Sequence, residues 1–310
     1  MKTVTASAPG KIILLGEHAV VYGQPALAIP VLGAQATAEI RQGRAGSRLI
    51  INARDLNSQY LYAALPAEHP LATATRLALS RFAVPEPDAT ITIKSTIPIA
   101  GGMGSGAAVS AAVVKALALW FGVPLENSEL SQLVYEVEKL HHGTPSGIDN
   151  TIICMGKPVF YIKGTTPITF MINKAFDLLI ADTGIHSPTK LAVAAVRELW
   201  EGDKAHYDAL FAEIGKLAHD ARGVLEVGTT DLLGTLMNRN QELLRQIAVS
   251  SPELETLIGA ALDAGAGGAK LSGGGRGGNM IAFVSSDDIE HVTKALYQAG
   301  AKQVLHTQAR

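Results

Sequence analysis

Cysteine is almost absent from this sequence, and neither sign of charge dominates it. Cys154 is the only cysteine in 310 residues, which excludes an internal disulfide and any metal site built from several thiolates. The formal net charge is −2, so the chain has no polybasic footprint for nucleic acid. The longest apolar helical pattern, residues 107–121, contains Ser110 and Lys115 and is too short to cross a bilayer. Since the N-terminal residues also lack a signal-peptide pattern, we expect a cytoplasmic protein without nucleic-acid or membrane partners.

The composition and the hydrophobic patterns predict a compact α+β protein. Hydrophobic residues make up 47% of the chain and charged residues 17%, which is typical of folded proteins. The length allows one large or two medium domains, and a weak boundary near residues 164–167 favours a division into 1–168 and 169–310. Predicted helices cover residues 69–82, 107–121, 128–141, 190–200, 207–227, 230–249, 252–264 and 287–299. Predicted strands cover residues 3–8, 12–15, 25–31, 34–40, 89–95, 159–163, 169–172, 176–182, 279–284 and 303–306.

The sequence is organised around a glycine-rich stretch, residues 98–108, which enters the helical pattern of residues 107–121. Glycine allows a ligand to approach the main chain closely, and the first amides of a helix have no internal partner. These amides and the helix dipole favour a phosphate group, although an ordinary loop-to-helix turn fits the same residues. The stretch does not match the Walker loop, and it fits only a looser, alanine-ended dinucleotide fingerprint that lacks its acidic residue.

Two further segments carry candidate chemical groups. A short apolar run, residues 12–15, predicts a buried strand with Lys11 at one end and Glu17-His18 at the other. A turn after the predicted helix 128–141 presents Asp149, for which a helix cap is the alternative interpretation.

A second glycine run, at residues 273–278, and Glu138 complete the candidate set. Phosphoryl transfer needs a phosphate cradle, a magnesium ligand, a cation on the developing charge and a group that positions the acceptor hydroxyl. The glycine-rich stretch, Glu138, Lys11 and Asp149 are candidates for these parts, and magnesium binds through only one or two carboxylates. Zinc is disfavoured, because adjacent histidines at 141 and 142 point about 100° apart on a helix and no third ligand is spaced to join them.

Several motifs, in order along the chain, resemble those of the galactokinase, homoserine kinase, mevalonate kinase and phosphomevalonate kinase (GHMP) family. The matching segments are residues 8–23, 98–108, 142–150, 183–190 and 270–278. The resemblance is most specific to the branch that phosphorylates mevalonate. It implies a two-domain small-molecule kinase fold, an active site in the inter-domain cleft, and ATP-dependent, Mg²⁺-dependent phosphorylation of the C5 hydroxyl of mevalonate. A kinase for phosphomevalonate, homoserine or a sugar, and a non-catalytic ligand sensor, remain alternatives.

The resemblance also implies residue roles. Asp149 would orient or deprotonate the acceptor hydroxyl, and Lys11 would lie near Asp149 and the transferred phosphate. Glu138, and in a lesser part Ser105, would hold Mg²⁺. The implied ATP-phosphate contacts are Gly101, Gly102, Met103, Gly104, Ser105, Gly106, Ala107 and Ala108. The implied substrate contacts are Glu17, His18, Ser146, Thr189, Gly273 and Gly274. A homodimer is a family-level expectation, and the adenine-binding residues cannot be assigned.

Two residues depart from the family pattern. Gly106 stands where the family usually has a serine that binds magnesium, so the metal must rely on other ligands. Arg276 stands within the glycine run at 273–278, where small residues are usual, and its guanidinium could bind a phosphate or carboxylate through two hydrogen bonds. We expect Arg276 either to compensate for the altered loop or to shift preference towards a phosphorylated acceptor.

Overall fold

The computed structural model describes residues 1–98, 102–142, 146–186 and 188–310, apart from the side chains of residues 141 and 142. The chain forms two compact units, each assembled from separate segments. Unit 1 comprises Met1–Gly10, Ala34–Pro98 and Gly104–Gly156. Unit 2 comprises Lys11–Gly33, the short segment that contains Gly102 and Met103, and Lys157–Arg310. The division into domains 1–168 and 169–310 stays a prediction.

The sheet of unit 1 is formed by strands with one buried face. The strands are β1 (Thr3–Leu15), β2 (Ala26–Gln42), β3 (Leu49–Ala53), β4 (Ser58–Leu61) and β5 (Ala89–Ser95). The second part of β1, from Lys11, and the first part of β2, up to Gly33, belong to unit 2. β4 pairs antiparallel with β3, β3 parallel with β5, β5 antiparallel with β2, and β2 also pairs with β1. In β5 the buried positions are alanine and isoleucine and the intervening ones threonine and lysine, so its period of two directs the apolar side chains to the core.

Helices complete the core of unit 1 and carry the candidate residues. They are α1 (Pro70–Phe82), α2 (Ser105–Phe121), α3 (Asn127–His142) and α4 (Ile148–Met155). α2 is rich in alanine and packs against α1, α3 and α4, because small side chains allow helices to approach on several faces. The starts of α2 and α4 and one side of α3 are thereby fixed in a common core.

Unit 2 contains a second sheet covered by helices. Its elements are β6 (Val159–Tyr161), β7 (Ile168–Thr169), β8 (Phe176–Asp182), α5 (Thr189–Gly202), α6 (Lys204–Val227), α7 (Leu233–Gln246), α8 (Pro252–Asp263), β9 (Gly268–Ser272), β10 (Asn279–Val284), α9 (Ile289–Gln298) and β11 (Gln303–Ala309). The strand order β11–β8–β10–β9 is antiparallel throughout. β6 pairs with Ala26–Ala28 of β2 and with β7. No helix within the described ranges combines the length and apolarity that a membrane span needs.

The predicted helices correspond closely to the observed ones, but some strand predictions were wrong at their ends. The separate strands predicted at 3–8 and 12–15 are one strand, β1, and those at 25–31 and 34–40 are one strand, β2. Pro9 lies inside β1, which pairs with β2 at the margin of the sheet, where a missing N–H is tolerated. The predicted helix at 230–249 is a 3-10 turn, Thr230–Leu232, followed by α7.

Candidate active site

Lys11 lies in a buried stretch of β1 that belongs to unit 2. Its residue is only 3% exposed, and its backbone N–H donates to the carbonyl of Met103 at 3.0 Å. This bond ties the candidate catalytic lysine to the end of the glycine-rich stretch that precedes α2. Burial of a lysine ammonium is unfavourable unless polar groups form hydrogen bonds with it. A buried position is therefore unusual for a lysine that has only a structural role.

A tight turn after β1 directs Glu17 and His18 into the interior. Gly16 has φ +99°, and a Cβ at this position would collide with the backbone of Ala26. Only glycine fits such a turn without displacing the neighbouring strand. Glu17 is 1% exposed and His18 6% exposed, and His18 itself has φ +59°, an uncommon backbone conformation for a side chain of this size.

His18 is held as a neutral ring. Burial lowers its pKa to about 4, so the imidazole carries no charge at pH 7. Its Nε2 lies 3.0 Å from the carbonyl oxygen of Gly274, which can only accept a hydrogen bond. The Nε2–H therefore donates to Gly274, and Nδ1 keeps a lone pair that can accept a hydrogen bond from a hydroxyl group.

Glu17 forms a buried ion pair with Lys270 that the sequence did not predict. Both side chains are fully inaccessible, and the Lys270 ammonium also donates to the carbonyl of Leu271. Asn240 Nδ2 lies 3.5 Å from the second oxygen of Glu17. Burial raises the pKa of Glu17 and lowers the pKa of Lys270, while each charge opposes the shift of the other. The pair anchors the turn that carries His18 to β9.

The C-terminal glycine loop, residues 273–278, brings further candidate residues to the same part of unit 2. Ser272 donates to the carbonyl of Ile13 at 2.9 Å and accepts from its N–H at 3.1 Å. A Cβ at Gly273 would lie 3.9 Å from the carbonyl of Gly102, and one at Gly274 would lie 3.1 Å from Thr189 Oγ1. Backbone therefore approaches closely at this loop: Gly273 lies near Gly102, and Gly274 lies near Thr189. The binding roles of these residues stay predictions.

In unit 1, the start of α2 presents unpaired amides. Gly104 has φ +71° and immediately precedes the helix. Its carbonyl accepts the hydrogen bond of the Ala108 N–H, at 2.9 Å. Ser105 is half-buried and Gly106 exposed, while Ala107 is buried. The N–H groups of residues 105–107 are those that a helix leaves free, which suits an anion. Gly101, also predicted to contact phosphate, lies outside the described residues.

Glu138 on α3 faces Gly106 across a short gap. Glu138 is only 4% exposed, and a Cβ at Gly106 would lie 3.4 Å from the Oε1 atom of Glu138. An oxygen donor at the mouth of an anion-binding helix terminus fits Mg²⁺, which prefers a carboxylate together with phosphate oxygens and water. Among the described residues no group of three or more histidine, cysteine, aspartate or glutamate side chains could hold a metal ion.

Asp149 lies in the first turn of α4, after Gly147 with φ +88°. Asn150 fixes this helix start, because its Nδ2 donates to the carbonyl and to the hydroxyl of Ser131 on α3, at 3.1 and 2.8 Å. Ser146 precedes the turn, and its hydroxyl accepts from the N–H of Ile148 at 3.4 Å. Asp149 and Ser146 are thus both at the start of α4, and their roles stay predictions.

Comparison with known proteins identifies the family. The models "GHMP kinases N terminal domain" and "GHMP kinases C terminal" match residues 69–157 and 221–302. The mevalonate kinase of Thermococcus sibiricus is 34% identical, over 97% of this chain and 95% of its own length.

Solved structures agree with this result. The crystal structure of L. major mevalonate kinase in complex with R-mevalonate has a TM-score of 0.86 at 27% identity and covers 100% of this chain and 96% of its own. The Methanococcus jannaschii mevalonate kinase gives a TM-score of 0.86 at 25% identity, covering 100% and 99%. The chain therefore belongs to the mevalonate kinase family of the GHMP kinases and has their α+β fold.

Proposed function

We propose that this chain transfers the γ-phosphoryl group of ATP to the C5 hydroxyl of mevalonate. The observation that carries the proposal is the buried polar turn of Glu17 and His18, held against Gly274 and beside Thr189. Contacts through Gly274 bring these groups together within unit 2, and they offer donors and acceptors suited to an acceptor with hydroxyl and carboxylate groups. The family membership of the chain supports the same reaction.

The acceptor contacts follow from the protonation of His18. A neutral ring with Nε2–H committed to Gly274 leaves Nδ1 to accept from an acceptor hydroxyl. Thr189 supplies a hydroxyl at the start of α5, where the helix dipole favours negative charge. This arrangement positions a hydroxy acid without a change in the charge of His18 during the reaction.

The transfer itself needs a base or orienting group and a cation. Asp149 orients the C5 hydroxyl and accepts its proton as the oxygen–phosphorus bond forms. The ammonium of Lys11 offsets negative charge that develops on the transferred phosphoryl group. Both groups are carried by rigid elements, β1 and α4, which reduces the entropy lost when the reacting atoms are aligned.

Backbone amides at the start of α2 hold the phosphates of ATP, together with Gly102 and Met103. Glu138, with Ser105 in a lesser part, would hold Mg²⁺, which neutralises phosphate charge when it is bound. Since Gly106 supplies no side-chain oxygen, phosphate oxygens and water would have to supply the remaining ligands of the metal. A homodimer and a cytoplasmic location remain predictions.

The reaction is tested by ADP release from Mg·ATP with mevalonate, phosphomevalonate, homoserine and galactose in parallel. We expect turnover with mevalonate, and a loss of about 10²-fold or more in kcat for Asp149→Asn and Lys11→Met. Lys157→Met, on the exposed surface, is the matched control for the lysine variant and should retain activity. Turnover with another acceptor alone would refute the proposed substrate, and ATP binding without turnover would favour a ligand sensor.

A further inference from the structure

Arg276 has a constrained position in the C-terminal glycine loop. Its φ is +59°, in the left-handed region that side chains rarely adopt, and its N–H donates to the carbonyl of Val249 at 2.7 Å. A Cβ at Gly275 would collide with that carbonyl, and one at Gly277 would lie 2.5 Å from the carbonyl of Ile185. The loop is therefore held on both sides of Arg276, at a position where glycine would be less strained.

The side chain of Arg276 is exposed, although both neighbouring glycines are buried. Within the described ranges, its guanidinium makes no hydrogen bond or ion pair with a protein group. Two other arginines of unit 2 are paired: Arg239 binds Glu213 and Arg245 binds Glu255, each within 3 Å. A rigid loop thus presents a guanidinium whose donors are available to a ligand.

Arg276 acts on the residues proposed to contact the acceptor. The pKa of His18 is lowered chiefly by burial, and the positive charge of Arg276 acts in the same direction, so the guanidinium is within electrostatic range of this ring. Gly274, two residues before Arg276, receives the His18 hydrogen bond and packs against Thr189. The charge of Arg276, the C-terminal glycine loop and the proposed acceptor contacts of His18 and Thr189 therefore occur together in unit 2.

We propose that Arg276 binds the anionic oxygens of the acceptor and so determines which acceptors the enzyme prefers. This inference rests on the proposed function, under which the anion is the carboxylate of mevalonate. The planar fork of a guanidinium matches a carboxylate or a phosphate through two parallel hydrogen bonds, and its charge is independent of pH. The retained strain at φ +59° is consistent with a functional requirement for this side chain.

Arg276→Gly tests the proposal without endangering the fold, because glycine tolerates the left-handed backbone. We expect its melting temperature to equal or exceed that of the wild type, while KM for mevalonate rises about 10- to 100-fold, as for loss of a hydrogen bond to a charged group. KM for ATP should stay unchanged. Arg276→Lys keeps the charge but not the fork, so an intermediate KM is expected.

A neutral analogue distinguishes the carboxylate from other contacts. In 3-methylpentane-1,3,5-triol the carboxylate of mevalonate is replaced by a hydroxymethyl group, so Arg276→Gly should leave its kcat/KM unchanged. An NMR titration should also show a higher His18 pKa in Arg276→Gly, which a purely structural role of the loop would not produce. A KM for mevalonate within twofold of wild type, or a rise in the KM for ATP instead, would overturn the proposal.

The same assay separates this inference from the proposed function. If the wild type uses phosphomevalonate and not mevalonate, the proposed reaction fails, while the variants still test whether Arg276 binds the phosphate of that acceptor. If mevalonate is the substrate and the variants bind it normally, the reaction stands and the role of Arg276 fails. Activity of the wild type with neutral acceptors only would refute both.

Discussion

The ion pair between Glu17 and Lys270 predicts a large loss of stability when one partner is removed. Lys270→Met keeps an unbranched side chain of similar length but leaves the Glu17 carboxylate fully buried without its cation. Loss of one partner from a buried pair costs about 3–5 kcal/mol, because the remaining charge keeps its desolvation penalty. At about 2–4 °C per kcal/mol for a domain of 150–250 residues, the melting temperature should fall by roughly 6–20 °C.

The assay is thermal unfolding followed by calorimetry, with the double variant Glu17→Gln/Lys270→Met beside each single variant. Removing both charges should recover most of the loss, since a neutral pair has no unpaired buried charge. Lys216→Met is the matched control, because the Lys216 side chain is 73% exposed and pairs with Asp220 on the same helix. The melting temperature of this variant should equal that of the wild type. The reasoning is refuted if Lys270→Met melts within about 2 °C of the wild type, or if the double variant is no more stable than Lys270→Met.

The pH dependence of Lys270→Met follows from the same burial. Burial raises the pKa of Glu17 above its ordinary value of 4.5, and without Lys270 it should be raised further. A raised folded-state pKa contributes stability below the unfolded value that is lost as pH rises through the folded value. The defect of Lys270→Met should therefore grow from acid towards neutral pH.

Two further outcomes are expected. Burial lowers the pKa of His18 from 6.5 to about 4, so the neutral ring contributes stability above pH 6.5 that is lost as pH falls through 4. Across that range the free energy of unfolding should fall by about 3 kcal/mol more in the wild type than in His18→Gln. His291→Gln is the control for an exposed histidine. Equal pH profiles for wild type and His18→Gln would contradict this. Gly106→Ser should raise the affinity for Mn²⁺ about tenfold, measured by electron paramagnetic resonance without ATP, because the new hydroxyl would lie beside Glu138. Gly106→Ala adds the same Cβ without an oxygen and should leave the affinity unchanged. Equal Mn²⁺ affinities of the two variants would refute the metal assignment.

Local signals in the sequence were sufficient for most helices, although α4 (Ile148–Met155) was not among those predicted. α1 and α8 follow the predicted boundaries within a residue or so, because their apolar spacing is helical and a proline occupies the first turn of each. β1 was divided in two because Pro9 and Gly10 are typical of turns, yet pairing with β2 outweighs that local preference. Strand continuity depends on distant partners, which a local pattern does not contain.

The candidate site was predictable in its parts but not in its internal bonds. Lys11, Glu17 and His18 were predicted to lie at the two ends of a buried strand, and in the structure all three are buried themselves. The partner of Glu17 is Lys270, 253 positions further along the chain, and no spacing rule connects two such residues. The only local signal was a lysine between alanine and leucine, just before the glycine run at 273–278. The left-handed backbone of Arg276 was equally invisible, since φ depends on the contacts of the whole loop.

The order in which unit 2 is encoded has a consequence for synthesis on the ribosome. Unit 1 has all of its segments by Gly156, whereas Lys11–Gly33 belongs with residues that follow Lys157. Glu17 leaves the ribosome 253 residues before Lys270, which at about 5–20 residues per second is a delay of roughly 13–50 s. During that interval Glu17 lacks Lys270, His18 lacks Gly274 and Ile13 lacks Ser272, although β1 can already pair with β2. The candidate residues Glu17 and His18 therefore stay without these partners until β9 and the glycine loop after it have been synthesised, and chaperone binding to this segment would be most useful then.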